Sequence, residues 1–162
     1  MGGTAKDFGQ MMTLLMHDEI LRGLMLVPVT TPVNYNTLLA KYFIEAFTSE
    51  VLTDDGVCRL VIKSAPQLSI GSQYVKEDNV IIEVFVPNTK DRVAGFERRS
   101  NQIIDQIIIL FTKKKKNAQG IIPLDSALIN GRRMVLEGRN ELASGSVGFK
   151  RQFVQFSYKK IY

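Results

Sequence analysis

One cysteine, one histidine and no tryptophan occur among 162 residues. A lone thiol excludes an internal disulfide, and Cys58 with His17 as its only soft companion excludes the usual thiolate and imidazole zinc sites. Cys58 falls in an alternating, strand-like run, which predicts a buried structural thiol rather than a nucleophile. His17 has no recognisable base or nucleophile near it in sequence and reads as a histidine on the polar side of a helix. No run of about eighteen apolar residues exists, so no membrane-spanning helix is expected. Residues 1–10 lack the basic and apolar regions of a secretory leader, so the expectation is a protein made and kept inside a cell. Also missing are a phosphate-cradling glycine loop, a metal-spaced His or carboxylate cluster, a Ser-His-Asp or Cys-His arrangement and the aromatic motif of RNA-recognition domains. The acidic pairs Asp18-Glu19, Asp54-Asp55 and Glu77-Asp78 read as solvated charge. The expectation is therefore no enzyme, no cofactor and no metal.

What is present is a core. Hydrophobic residues make up 45% of the chain, enough for one domain over residues 1–162. The formal charge is +5, from 21 basic and 16 acidic residues, which permits a nucleic-acid or acidic partner without requiring one. The strongest pattern lies in residues 80–111. Residues 80–86 are β-branched or aromatic except for Glu83 and predict a central strand covered on most of both faces, ended by Pro87. Residues 88–95 form a polar turn in which Asp91 is a candidate helix cap. Ile103, Ile104, Ile107, Ile108 and Phe111 then follow the spacing of a helix with one buried stripe.

The rest of the chain is read around that unit. Residues 1–10 are expected to be a frayed arm, with Asp7 as a possible cap. Met11, Met12, Leu14, Leu15, Ile20, Leu21, Leu24 and Met25 predict an amphipathic helix interrupted near residues 17–19. Two prolines and four β-branched residues make residues 27–33 an extended connector. Leu38, Leu39, Tyr42, Phe43, Ala46 and Phe47 predict a second helix capped by Asn36 or Thr37. Cys58, Leu60 and Ile62 alternate with Arg59, Val61 and Lys63 in a strand that pairs antiparallel with residues 80–86. The intervening residues 64–79 are expected to be a projecting loop. Lys113, Lys114, Lys115 and Lys116 read as a solvated cationic end of the central helix. Residues 120–131 are a short strand or packed loop, residues 132–137 a strand, 138–148 a second projecting loop and 153–158 a last strand. The order is helix, helix, strand, strand, helix, strand, strand. The fold class is α+β, with a small antiparallel or mixed sheet of about four strands packed by the central helix.

The run Val80-Ile81-Ile82-Glu83-Val84-Phe85-Val86-Pro87 is followed by Arg98-Arg99, then Ile103-Ile104-Asp105-Gln106-Ile107-Ile108 and Leu110-Phe111. Together with the aromatic closing segment at residues 153–158, it resembles the neck proteins of tailed bacteriophages, in particular the tail terminator and tail-to-head joining proteins. The resemblance covers roughly residues 60–158. The N-terminal region is longer than in the smallest members, which leaves an adaptor or stopper position in the same neck open. What it implies is a virion structural protein, made in the host cytoplasm. Its copies would form a ring, commonly of six, that ends the tail tube and docks the head. The implied partners are other copies, the tail tube protein and a head-completion or connector protein, with DNA passing through the lumen. Ser64, Gln67, Ser72, Tyr74, Arg139, Asn140 and Ser144, in the two expected loops, are candidate subunit or tube contacts. The competing expectation is a small basic nucleic-acid-binding module. It would touch phosphates through Lys113, Lys114, Lys115, Lys116, Arg132 and Arg133, with Lys150 and Arg151.

Overall fold

The computed structural model describes residues 4–45, 56–69, 75–93, 97–112, 114–117, 120–123, 128–129, 132–142 and 148–161. For residues 4–7, 64–69, 75–78, 114–117, 120–123, 128–129, 132–133, 142 and 159–161 it describes the backbone alone. The fold is α+β: helices on one face of a mixed five-stranded sheet. The helices are α1 (Thr4–Met16), α2 (Glu19–Leu24), α3 (Tyr35–Lys41), α4 (Asn88–Asp91) and α5 (Arg99–Thr112). The sheet is built from β1 (Phe43–Glu45), β2 (Arg59–Ser69), β3 (Val75–Pro87), β8 (Val135–Leu142) and β9 (Phe149–Ile161), in the order β1-β2-β3-β9-β8. Two ribbons lie outside it: β4 (Lys114–Asn117) with β5 (Gly120–Pro123), and β6 (Leu128–Ile129) with β7 (Arg132–Arg133).

Strand β3 is the axis. It pairs antiparallel with β2 on one side and with all thirteen residues of β9 on the other. Its even positions, Val80, Ile82, Val84 and Val86, join Leu60, Ile62, Val154, Phe156 and Tyr158 under the helices. Ile103, Ile104, Ile107 and Phe111 of α5 complete this core, with Phe111 edge-on to Phe156 at 5.0 Å. The opposite sheet face holds a second, smaller buried cluster of Val61, Phe85 and Phe149.

The break at residues 17–18 is a capped junction. Asp18 stands as N-cap of α2, its Oδ2 accepting the N–H of Leu21 at 2.8 Å, which gives the new helix its own orphan-donor partner. At the other end of α2 the N–H of Leu26 bonds the Gly23 carbonyl and that of Val27 bonds the Arg22 carbonyl. This is the paired closure usually built around a left-handed glycine. Here the left-handed residue is Leu26, at φ 58°. The connector that follows is irregular and contains a cis Thr31–Pro32 bond, as its prolines lead one to expect.

Several expectations need correction. Helix α1 already runs from Thr4, so Asp7 lies inside it and caps nothing; residues 1–3 of the expected arm are outside the described residues. Asn34, rather than Asn36 or Thr37, caps α3, accepting the Thr37 N–H at 3.2 Å. The helix ends at Lys41, and Phe43 enters β1, parallel to β2. Phe43 is fully buried by the sheet, and that burial overrides a helical spacing which Phe43 also satisfied. Residues 64–69 and 75–79 are not loop but the arms of the β2–β3 hairpin. They lack apolar alternation, which is the only signal from which the strand could have been read. Helix α5 ends at Thr112, and Lys114, Lys115 and Lys116 lie on β4 rather than in a last helical turn; Lys113 is outside the described residues. Residues 138–142 belong to β8, leaving only 143–147 of the second expected loop outside the described residues.

Candidate interaction surfaces

The sheet is widest at its middle and narrows at one end. Strand β1 covers β2 only at Leu60, Val61 and Ile62, and the β8 pairing to β9 stops at Ser157. Residues 75–78 of β3, 65–69 of β2 and 158–161 of β9 therefore have no fourth strand among the described residues. They form a three-stranded tongue roughly 13 Å long at about 3.3 Å per residue. Ser64 and Gln67 lie on this element, as strand residues; Ser72 and Tyr74 are outside the described residues.

Helix α5 is clamped from two sides by residues seven positions apart. On one flank Arg98 pairs with Glu141 at 3.7 Å and Asp105 pairs with Arg139, both on β8. On the other, Arg99 donates to the carbonyl oxygens of Leu24 at 3.1 Å and Lys90 at 2.9 Å, and Gln106 donates to Asp18 Oδ2 at 3.0 Å. Seven residues are two helical turns, so each pair shares a face. The arrangement puts α2 and β8 on opposite flanks of α5. Arg139 and Asn140 thus sit on an edge strand; Arg139 is engaged by Asp105, and the Asn140 side chain accepts the Glu141 N–H at 2.8 Å. Ser144 is outside the described residues.

Glu83, the one charge in the central strand, is only 5% exposed. Register places Lys63 and Arg151 one pair away from it on the two neighbouring strands and on the same face. Lys63 Nζ donates to Oε1 at 2.8 Å, while Arg151 donates through Nε to Oε2 and through Nη2 to Oε1, both at 3.0 Å. Burial would push the Glu83 carboxyl up, but the hydrogen bonds and charges of Arg151 and Lys63 outweigh it and hold the group below its ordinary value. The planar fork of Arg151 suits this two-point grip. Sequence reading missed the triad. Its signal was a single carboxylate inside a β-branched run.

The basic patch divides in the structure. Lys150 is paired with Glu141 and Arg151 with Glu83, so neither is a free cation for phosphate. Lys114, Lys115 and Lys116 are on β4, and Arg132 and Arg133 are on β7. His17 stacks on Tyr35 at 4.5 Å, with Nδ1 3.2 Å from the phenolic oxygen, at the surface. Cys58 is buried and its thiol is pushed up to about 11 by that burial, against the opposing charges of Arg99 and Lys90; such a thiol is a poor nucleophile. Among the described residues no three His, Cys, Asp or Glu side chains come together as metal ligands. Among them, too, no helix is long and apolar enough to cross a membrane.

A cavity of about 220 Å³ opens between α2, the connector and α3, lined by Val27, Pro28, Val33 and Leu38 with Glu19 and Arg22 among its polar neighbours. No catalytic grouping of side chains converges on it. No known family model matches the chain, and no curated protein matches its sequence.

Proposed function

We propose that the chain is a structural subunit of the neck of a tailed bacteriophage, assembling with its own copies into a ring that ends the tail tube and joins it to the head. The observation that carries this reading is the three-stranded tongue extending past the helix-covered part of the sheet. A strand-built projection supplies reach and backbone hydrogen-bonding groups for a neighbour, while serving no pocket of its own. The segments on which the resemblance rests occupy the organising positions of the fold: β3, α5 and the aromatic stretch of β9. An adaptor or stopper position in the same neck uses the same features. The partners would be the tail tube protein and a head-completion or connector protein, with DNA in the lumen. Light scattering and negative-stain microscopy of the purified protein test the reading. A closed ring without nucleic acid supports it, and a monomer at every concentration removes it.

One observation favours a second reading, the basic nucleic-acid module. The lysine run is on β4 rather than at a helix C-terminus, so complementing the helix dipole no longer accounts for it. A monomer whose DNA affinity falls steeply with salt would put this reading first.

A further inference from the structure

The large apolar side chains that stand exposed among the described residues fall into two groups. Ile20, Leu26, Val29 and Leu39 surround the cavity between α2 and α3, with Val29 97% and Ile20 63% exposed. Val135, 49% exposed, and Leu136 form a step at the start of the edge strand β8. The ion pairs and hydrogen bonds of α5 place these groups on opposite flanks of the molecule. One surface is concave and the other convex. Each carries one charge of either sign: Glu19 and Arg22 line the cavity, and Glu137 and Arg139 follow the step.

We propose that these are the two halves of one head-to-tail contact, the Val135–Leu136 step of each copy seating in the α2–α3 cavity of the next. This rests on the ring reading and gives it an interface. A ring with a single kind of contact needs two different, mutually complementary surfaces on opposite sides of the subunit, and the chain displays such a pair. The cavity is roomy enough for a branched aliphatic side chain, and Glu137 and Arg139 are placed to meet Arg22 and Glu19. The backbone at Leu26 adds a separate argument. A glycine would adopt its left-handed conformation without strain, yet the position holds an exposed apolar side chain beside the cavity.

Two variants at exposed positions, Leu136→Asp and Val29→Asp, test the contact, with circular dichroism confirming that each stays folded. Each alone is expected to run as a monomer at concentrations where the unaltered chain assembles. Mixed in equal amounts, they are expected to form a one-to-one pair and nothing larger, because the mixture contains one working combination of surfaces. If both variants assemble like the unaltered chain, this interface is wrong while the ring reading stands. Loss of assembly in Leu136→Asp alone would mean like-with-like pairing of β8 and would also overturn the proposal. A mixture that stays monomeric, or that grows to full size, does the same. An unaltered chain that never assembles removes both readings together.

Discussion

Asp91 and Ser100, nine residues apart, are joined by a 2.9 Å hydrogen bond from the Ser100 backbone N–H to Asp91 Oδ1. Asp91 lies in α4 and is buried, so the first turn of α5 is capped from a neighbouring element rather than by its own preceding residue. Gln152 of β9 reaches the same turn, donating to Ser100 Oγ at 2.9 Å and to Asn101 Oδ1 at 2.6 Å. Helix, turn and sheet meet at this point.

Replacing Asp91 with Ala leaves a buried N–H without its acceptor and is expected to cost about 1–2 kcal/mol. Asp91→Asn keeps an oxygen in place and should recover most of the loss. Urea unfolding of both variants checks this, and equal losses would assign the effect to charge instead of the cap.

Glu83 makes stability depend on acid. Its carboxyl titrates below the ordinary 4.5 when folded, so the unfolded chain takes up its proton first as pH falls. The stability it contributes is present above about pH 4.5 and is lost as pH drops through the lower folded value. Glu83→Gln should cost about 2 kcal/mol at pH 7, leaving Lys63 and Arg151 half-buried without a counter-charge. The gap to the unaltered chain should close below pH 4.5. A gap that stays constant with pH would show that the carboxylate's charge is not what matters.

Leu26→Gly removes the side chain from a left-handed position and should raise stability by about 1 kcal/mol, or Tm by about 2–4 °C. Leu26 is 42% exposed, so little burial is given up. A lower melting temperature would mean that its contacts outweigh the backbone strain.

Changing Lys113, Lys114, Lys115 and Lys116 to Gln is expected to leave assembly intact and to shift stability by no more than about 0.5 kcal/mol. If the run binds phosphate instead, DNA binding by the unaltered chain would lose up to about four units of log-log salt slope in the variant.

Legibility in the sequence followed the core. The α5 stripe, the β3 run and the alternation from Cys58 to Lys63 could be read because each buries a face, and the prolines of the connector announced themselves through backbone restriction. The tongue could not be read, since with no helix over it the apolar period disappears. Asp91 was correctly singled out as a cap, but its partner lies nine residues on, past the turn, where local capping rules do not reach. Of the candidate contacts, Arg139 and Asn140 turned out to be edge-strand residues held by Asp105 and by the local backbone. The two apolar groups on opposite flanks were invisible for a different reason. Exposed aliphatic residues look like core residues until the fold says which face they take.

The place of β9 between β3 and β8 has a consequence for how the protein is made. Strand β8 leaves the ribosome before β9 but has no pairing partner in the sheet until β9 follows. Until then β3 offers an open, apolar edge with only the β2 hairpin beside it. Closing the sheet joins residues as distant as Val75 and Ile161, a late and long-range step. During synthesis that edge is a natural landing site for a chaperone or for another nascent chain.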